Sequence, residues 1–115
     1  MSFDPEKFNT KGDIAWILAA CPDKNIRDGE KALKLALEFP DSDHKHHTFR
    51  TMAAAYADIG DFKNALTYQE KAVQALKNME YENELEKIYY EDKCKKCIEQ
   101  LESYKNNIPW YFKKS

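Results

Sequence analysis

Glycine and proline are scarce in this chain, at three and four residues, and β-branched residues are few. So few breakers favour helices, and the thin supply of β-branched side chains leaves an all-β fold little to stand on. No apolar run approaches the length needed to cross a bilayer. The opening residues MSFDPEKFNTKGD lack the charged start and apolar block of a signal peptide. Neither sign of charge dominates: the formal net charge is −2, so no strongly basic field exists to hold nucleic acid. Lys113 and Lys114 make only a short basic end, far from a polybasic membrane anchor. Three cysteines, an odd number without a secretion signal, point to reduced thiols in the cytosol. GxSxG, a glycine-rich phosphate loop and HExxH are all missing. Acidic pairs such as Asp41/Asp43 and Glu84/Glu86 fall on solvated turns and helix faces. The chain is therefore not expected to be an enzyme, and nothing in it implies a cofactor.

What is present reads as one all-α domain over residues 1–115, of about five helices. Hydrophobic content of 43% with 33% charged residues fits a folded repeat or globular protein. A first helix is expected from about Thr10, where Thr10 and Asp13 can form a capping box. Its run Ile14–Cys21 is apolar around most of the circumference, which predicts burial on more than one side, and Pro22 ends it. Asp28 is placed to cap a second helix, roughly Gly29–Phe39, with Ala32, Leu33, Ala36 and Phe39 at helical spacing. A third, from about Asp43 to Ile59, carries the stripe Phe49, Met52, Ala53, Tyr56 and Ile59. Gly60 stands where a left-handed C-terminal cap is wanted. Asp61 then caps a fourth helix, about Phe62–Lys77, with Phe62, Ala65, Leu66, Gln69, Ala72, Val73 and Leu76 on one face. The fifth, from about Glu80 or Asn83 to Tyr104, is more charged. Its stripe is Leu85, Ile88, Tyr89, Cys94, Ile98, Leu101 and Tyr104, and the uneven spacing after Tyr89 allows a kink.

A shift of about 33 residues lays the chain partly on itself: Trp16 falls on Phe49, Ala20 on Ala53, Asp28 on Asp61, Ala32 on Ala65, Leu33 on Leu66. A period in that range built from helix pairs marks stacked hairpins, since one hairpin cannot bury its apolar face alone. Residues 46–79, with Phe49, Met52-Ala53, Tyr56, Gly60-Asp61-Phe62, Ala65-Leu66 and Ala72, resemble one unit of the tetratricopeptide repeat family. Gln69 stands where that pattern carries an aromatic residue, and Lys77 where it carries proline. Residues 10–41, with AWILAACPD and then RDGEKALKLA, resemble a variant opening repeat of bacterial members, and 80–112 a capping helix with an aromatic tail. The resemblance implies antiparallel helix hairpins in a right-handed superhelix and a concave surface that binds a protein or peptide. In the second repeat that surface would present His47, Arg50, Thr51, Ala54 and Asp58. Ala54 stands where a carboxylate-gripping variant would have asparagine, so a partly apolar groove is expected instead.

Two other functions compete. Cys94 and Cys97 form a CxxC, and with His44, His46 and His47 they could ligate zinc or act as a thiol sensor. Against this, Cys94 belongs to the apolar stripe and Cys97 lies one helical turn away. A self-assembling structural unit is the other, since stable arrays usually need about three repeats. Trp16 reads as packing between hairpins. Trp110, Tyr111 and Phe112 are expected to fold back and seal the domain or line its groove, the alternative being a patch for homodimerisation.

Overall fold

The computed structural model describes residues 11–38 and 46–111, with side chains from residue 14. Those residues form five helices: α1 Lys11–Ala20, α2 Gly29–Leu37, α3 His46–Asp58, α4 Phe62–Lys77 and α5 Glu84–Lys105. The fold is all-α, with no strand among the described residues. No helix among them is long and apolar enough to cross a membrane. Thr10, the expected start of α3 at Asp43, the expected end of α2 at Phe39 and Pro40, His44 and Phe112 lie outside the described residues.

The helix ends follow from local chemistry. Asp28 accepts from the Lys31 N–H at the start of α2, Asp61 from Asn64 at α4 and Asn83 from Glu86 at α5. Each satisfies a backbone donor that the first turn leaves open. α3 stops at Gly60, which has φ +88°. The Asp61 N–H returns to the Tyr56 carbonyl at 2.8 Å and the Gly60 N–H to Ala57 at 3.1 Å, the two bonds of a Schellman cap. At the end of α1, where Pro22 forbids continuation, the Asp28 N–H donates to the Leu18 carbonyl at 2.7 Å and Arg27 Nη1 to Cys21 at 3.1 Å. The loop between α1 and α2 is thereby tied to the helix it leaves.

α1 packs on α2 and α3, α2 also on α3, α3 on α4, and α4 on α5. Alanine makes these crossings. Ala19, Ala20 and Ala32 meet Ala54 and Ala55, while Ala53, Ala57 and Ala65 meet Tyr104. Side chains this small let helix axes approach closely, and larger residues fill the flanks. Tyr56 stacks on Tyr68 at 5.5 Å, and Phe49 on Tyr68 at 6.4 Å. α3 lies in the middle of the stack and buries Thr51, Met52, Ala53, Ala54, Ala55 and Ala57, well beyond the single stripe the sequence suggests. Ile14 is exposed, so α1 is less enclosed than expected.

α5 differs most from its expected form. It is one continuous helix, and it buries Cys97, Gln100 and Tyr104. Leu85 is 81% exposed, and Ile88, Tyr89 and Ile98 are also exposed. Cys94, expected in the core, is half-buried, while Cys97 is buried. The reason lies in partner and register. Tyr104 packs near the start of α4 and Cys97 near its end, against Val73 and Leu76, so among the described residues the first turns of α5 extend past α4. Hydrogen bonds set the rotation: buried Gln69 of α4 donates to the Cys97 carbonyl at 2.8 Å, and Gln100 Oε1 accepts from Arg50 Nε of α3 at 2.6 Å.

Gly29 marks a close approach of α2 to α3. A Cβ there would stand 2.7 Å from Asp58 Oδ2 and 3.0 Å from the Ala55 carbonyl oxygen. Gly29→Ala is therefore expected to lower unfolding stability by about 1–3 kcal/mol through overpacking. Gly60→Ala meets no atom within 4 Å and is expected to cost about 1–2 kcal/mol from backbone handedness alone. Urea titrations of both variants measure this; an unchanged midpoint for Gly29→Ala would contradict the close approach.

Candidate functional site

The side of α3 toward α1 is where the sequence places a groove, and the structure fills it. Thr51 and Ala54, expected to be presented there, are each 2% exposed. Ala54 lies among Ala19, Ala20 and Ala32, because α1 and α2 cover that side of α3. His47 has its ring 6.1 Å from Trp16. Arg50 and Asp58 remain on the accessible edge, but both are engaged by the residues that follow α5.

That engagement begins with a turn. Asn107 has φ +56°, a region that asparagine tolerates better than most residues. The Ile108 N–H returns to the Ser103 carbonyl at 2.9 Å and the Asn107 N–H to Tyr104 at 3.0 Å. This second Schellman cap reverses the chain, and Ser103 Oγ clasps the Ile108 carbonyl at 2.8 Å. Pro109 bars any return to helix. Ile108–Tyr111 then crosses back toward α1 and α3 as neither helix nor strand.

Two arginines receive it. The Arg50 guanidinium lies 4.5 Å from the centroid of Trp16 and 5.0 Å from that of Trp110, and the two indoles are 6.2 Å apart. Arg50 Nε donates to Gln100 Oε1 at 2.6 Å, so buried Gln100 aims the guanidinium at the rings. Burial pulls the Arg50 pKa below its ordinary value, though arginine stays charged at any ordinary pH. Arg27 lies 3.9 Å over the Tyr111 ring and its Nε is 2.8 Å from Asp58 Oδ1. The Tyr111 hydroxyl donates to that oxygen at 3.3 Å, and the Gly29 N–H donates to Asp58 Oδ2 at 3.0 Å. Planar cations over ring faces are attracted by the ring quadrupole. The face thus provides two cation–ring seats, one for each aromatic residue of the segment.

Beside the seated segment lies a cavity of about 560 Å³, lined by Trp16, Arg50 and Trp110 on one wall and Asp92, Lys95, Lys96 and Glu99 on the other. Lys96 pairs with Asp92 at 3.2 Å, while Lys95 has no ion pair among the described residues. A second cavity of about 340 Å³ is lined by Cys94, Leu76, Lys77, Tyr81 and Ile98. The candidate metal ligands do not converge there. No group of three His, Cys, Asp or Glu side chains is gathered among the described residues, and the His46 ring meets Tyr90 edge-on at 6.0 Å. Burial raises the Cys97 pKa, which opposes the thiolate that metals and oxidants need.

Sequence reasoning singled out Arg50, Asp58, Trp16 and the aromatic tail, but read none of them as partners. Arg27 and Gln100 it missed. The readable signal for the chain reversal was Asn106-Asn107 followed by Ile-Pro, since asparagine tolerates the left-handed cap and proline prevents the helix from resuming. No protein-family model matches the chain, and comparison with curated proteins and with solved structures gives no match.

Two outcomes follow. Asp58→Ala leaves a mostly buried Arg27 unpaired and frees the Gly29 N–H, so a loss of about 3 kcal/mol in denaturant unfolding is expected; less than 0.5 would show the carboxylate to be dispensable. Burial also pushes the phenols of Tyr104 and Tyr111 above their ordinary pKa, with Arg27 opposing and Asp58 reinforcing the rise at Tyr111. Below about pH 10 both are neutral folded or unfolded; above it the unfolded chain ionises first. Stability is therefore expected to fall as pH rises from about 10, and Tyr104→Phe to flatten that fall.

Proposed function

We propose that this chain is a protein-interaction module of the helical-repeat type, similar to tetratricopeptide proteins, which holds a short segment of a partner on the face formed by α1 and α3. The observation that carries this reading is Ile108–Tyr111 itself, a non-helical segment seated on that face by Arg27, Arg50, Trp16 and Asp58. A surface able to hold one such segment has the chemistry to hold another: ring faces, oriented cations and a carboxylate acceptor. Stacked hairpins suit the task, because neighbouring first helices line up into a continuous surface. Near the face, buried Gln100 accepts from Arg50 and donates to the Tyr104 hydroxyl, and so serves to orient the guanidinium.

Photo-crosslinking tests it without disturbing the packing. A benzophenone side chain replaces Lys95, exposed at the edge of the cavity beside Trp110, and in a second protein replaces Lys63, exposed on α4. In extract, the first is expected to capture a defined protein that the second does not. Identical adducts from both positions would overturn the assignment of the face.

A further inference from the structure

Resting on that reading, we infer that the face formed by α1 and α3 recognises a partner segment carrying proline followed by an adjacent Trp–Tyr pair, for which the chain's own Pro109-Trp110-Tyr111 is the resident, displaceable occupant. The chemistry of the seats selects those side chains. The first seat is a guanidinium between two indoles, Trp16 from the domain and Trp110 from the segment, and a large, electron-rich ring binds a cation best there. The second seat asks for two things at once: a ring face beneath Arg27 and a hydroxyl within reach of Asp58 Oδ1. Tyrosine meets both; phenylalanine meets only the first. Proline ahead of the pair limits the conformations lost on binding.

The segment is attached by a short turn but held on the face mainly by side chains. Its last backbone bonds to α5 are at Ile108, through Ser103; beyond that, the contacts named above are ring, cation and hydroxyl contacts. Release of Trp110 and Tyr111 therefore breaks none of the hydrogen bonds of the α5 cap, while it removes the packing of Trp110 against Ala53, Ala57, Ala65 and Tyr104. It vacates the ring positions at Arg50 and Arg27 and the hydroxyl position at Asp58 Oδ1 together, beside Trp16, whose ring stays against His47. A partner with the same pair competes against an effective concentration of the tethered segment on the order of millimolar. With an intrinsic Kd on the order of 0.1 mM, that competition weakens apparent binding about tenfold.

The test uses the full chain and a synthetic, fluorescein-labelled peptide with the sequence of residues 106–111, NNIPWY. Fluorescence anisotropy compares the wild type with Trp110→Ala/Tyr111→Ala, which vacates the seats. The double variant is expected to bind the peptide about tenfold more tightly than the wild type. Peptides NNIPAY and NNIPWF are expected to bind it at least fivefold more weakly than NNIPWY, as is the original peptide when Arg27→Ala is added to the receptor. Equal affinity for all three peptides, or none for any by a variant that keeps its helical circular dichroism, overturns the inference. If the double variant does not fold, the wild type decides in its own ¹⁵N spectrum. Excess unlabelled NNIPWY should move the Trp110 indole resonance toward its solvent-exposed position, and an unmoved resonance at millimolar peptide overturns the displacement. Partner capture at Lys95 that persists without peptide binding rejects this ligand class while leaving the interaction reading in place.

Discussion

The Asp58 carboxylate stands at the unfavourable end of its own helix. A negative charge in the last turn of α3 opposes the helix dipole, and no basic residue in that turn offsets it. Its charge is used by other elements instead. One oxygen takes the Gly29 N–H at the start of α2, where the dipole favours an anion, and the other takes Arg27 and the Tyr111 hydroxyl. Loop, second helix, third helix and C-terminal segment converge on this one side chain. The geometry is available because residue 29 lacks a Cβ: any larger side chain would push α2 off α3 and carry Asp58 out of reach.

Alanine sets the rest of the arrangement. Where Ala20, Ala32, Ala54 and Ala55 meet, little side chain separates the backbones, so α3 is enclosed between the first hairpin and α4. That closeness has a consequence for binding. An α3 buried over most of its circumference cannot offer a broad groove; it offers an edge, where the long residues Arg50 and Asp58 reach out past the alanines. Function on such a scaffold depends on the few side chains long enough to leave the packed layer, together with the ring of Trp16 beside them.

The elements were legible in the sequence wherever a local rule decided them. Asp28 and Asp61 as caps, Gly60 as the left-handed stop and the full span of α4 all follow from backbone chemistry within a few residues. The face of α5 was not legible, because its rotation is fixed by Gln69 and Gln100, polar residues that an apolar stripe passes over. Leu85, Ile88 and Tyr89 keep helical spacing yet are exposed, so periodicity alone overstated their burial. In the candidate site, Arg50 and Asp58 could be named from their position on α3. Their partners lie 31 and 53 residues from Asp58 in sequence and 60 from Arg50, at Arg27, Tyr111 and Trp110, and no spacing rule links such distances.

On the proposed reading, burial at the face of α1 and α3 takes a second meaning. Trp110 and Tyr111 contribute packing, and a melting temperature would count them as structure; yet their contacts are of a kind that protein interfaces also favour, with aromatic rings and arginine at the centre. Core contacts such as Ala53 against Ala65 cannot be replaced from outside, because reaching them means parting two helices. The contacts of Trp110 and Tyr111 can be, since the backbone beyond Ile108 has only to swing away from a cap that stays bonded. The difference between a structural seal and a resident ligand is thus one of what must break to remove it. Here removal takes two cation–ring contacts, the Trp16–Trp110 ring contact, the packing of Trp110 against Ala53, Ala57, Ala65 and Tyr104, and a long hydroxyl bond. On the proposed reading, the same tether that keeps the face dry sets the affinity a partner must exceed.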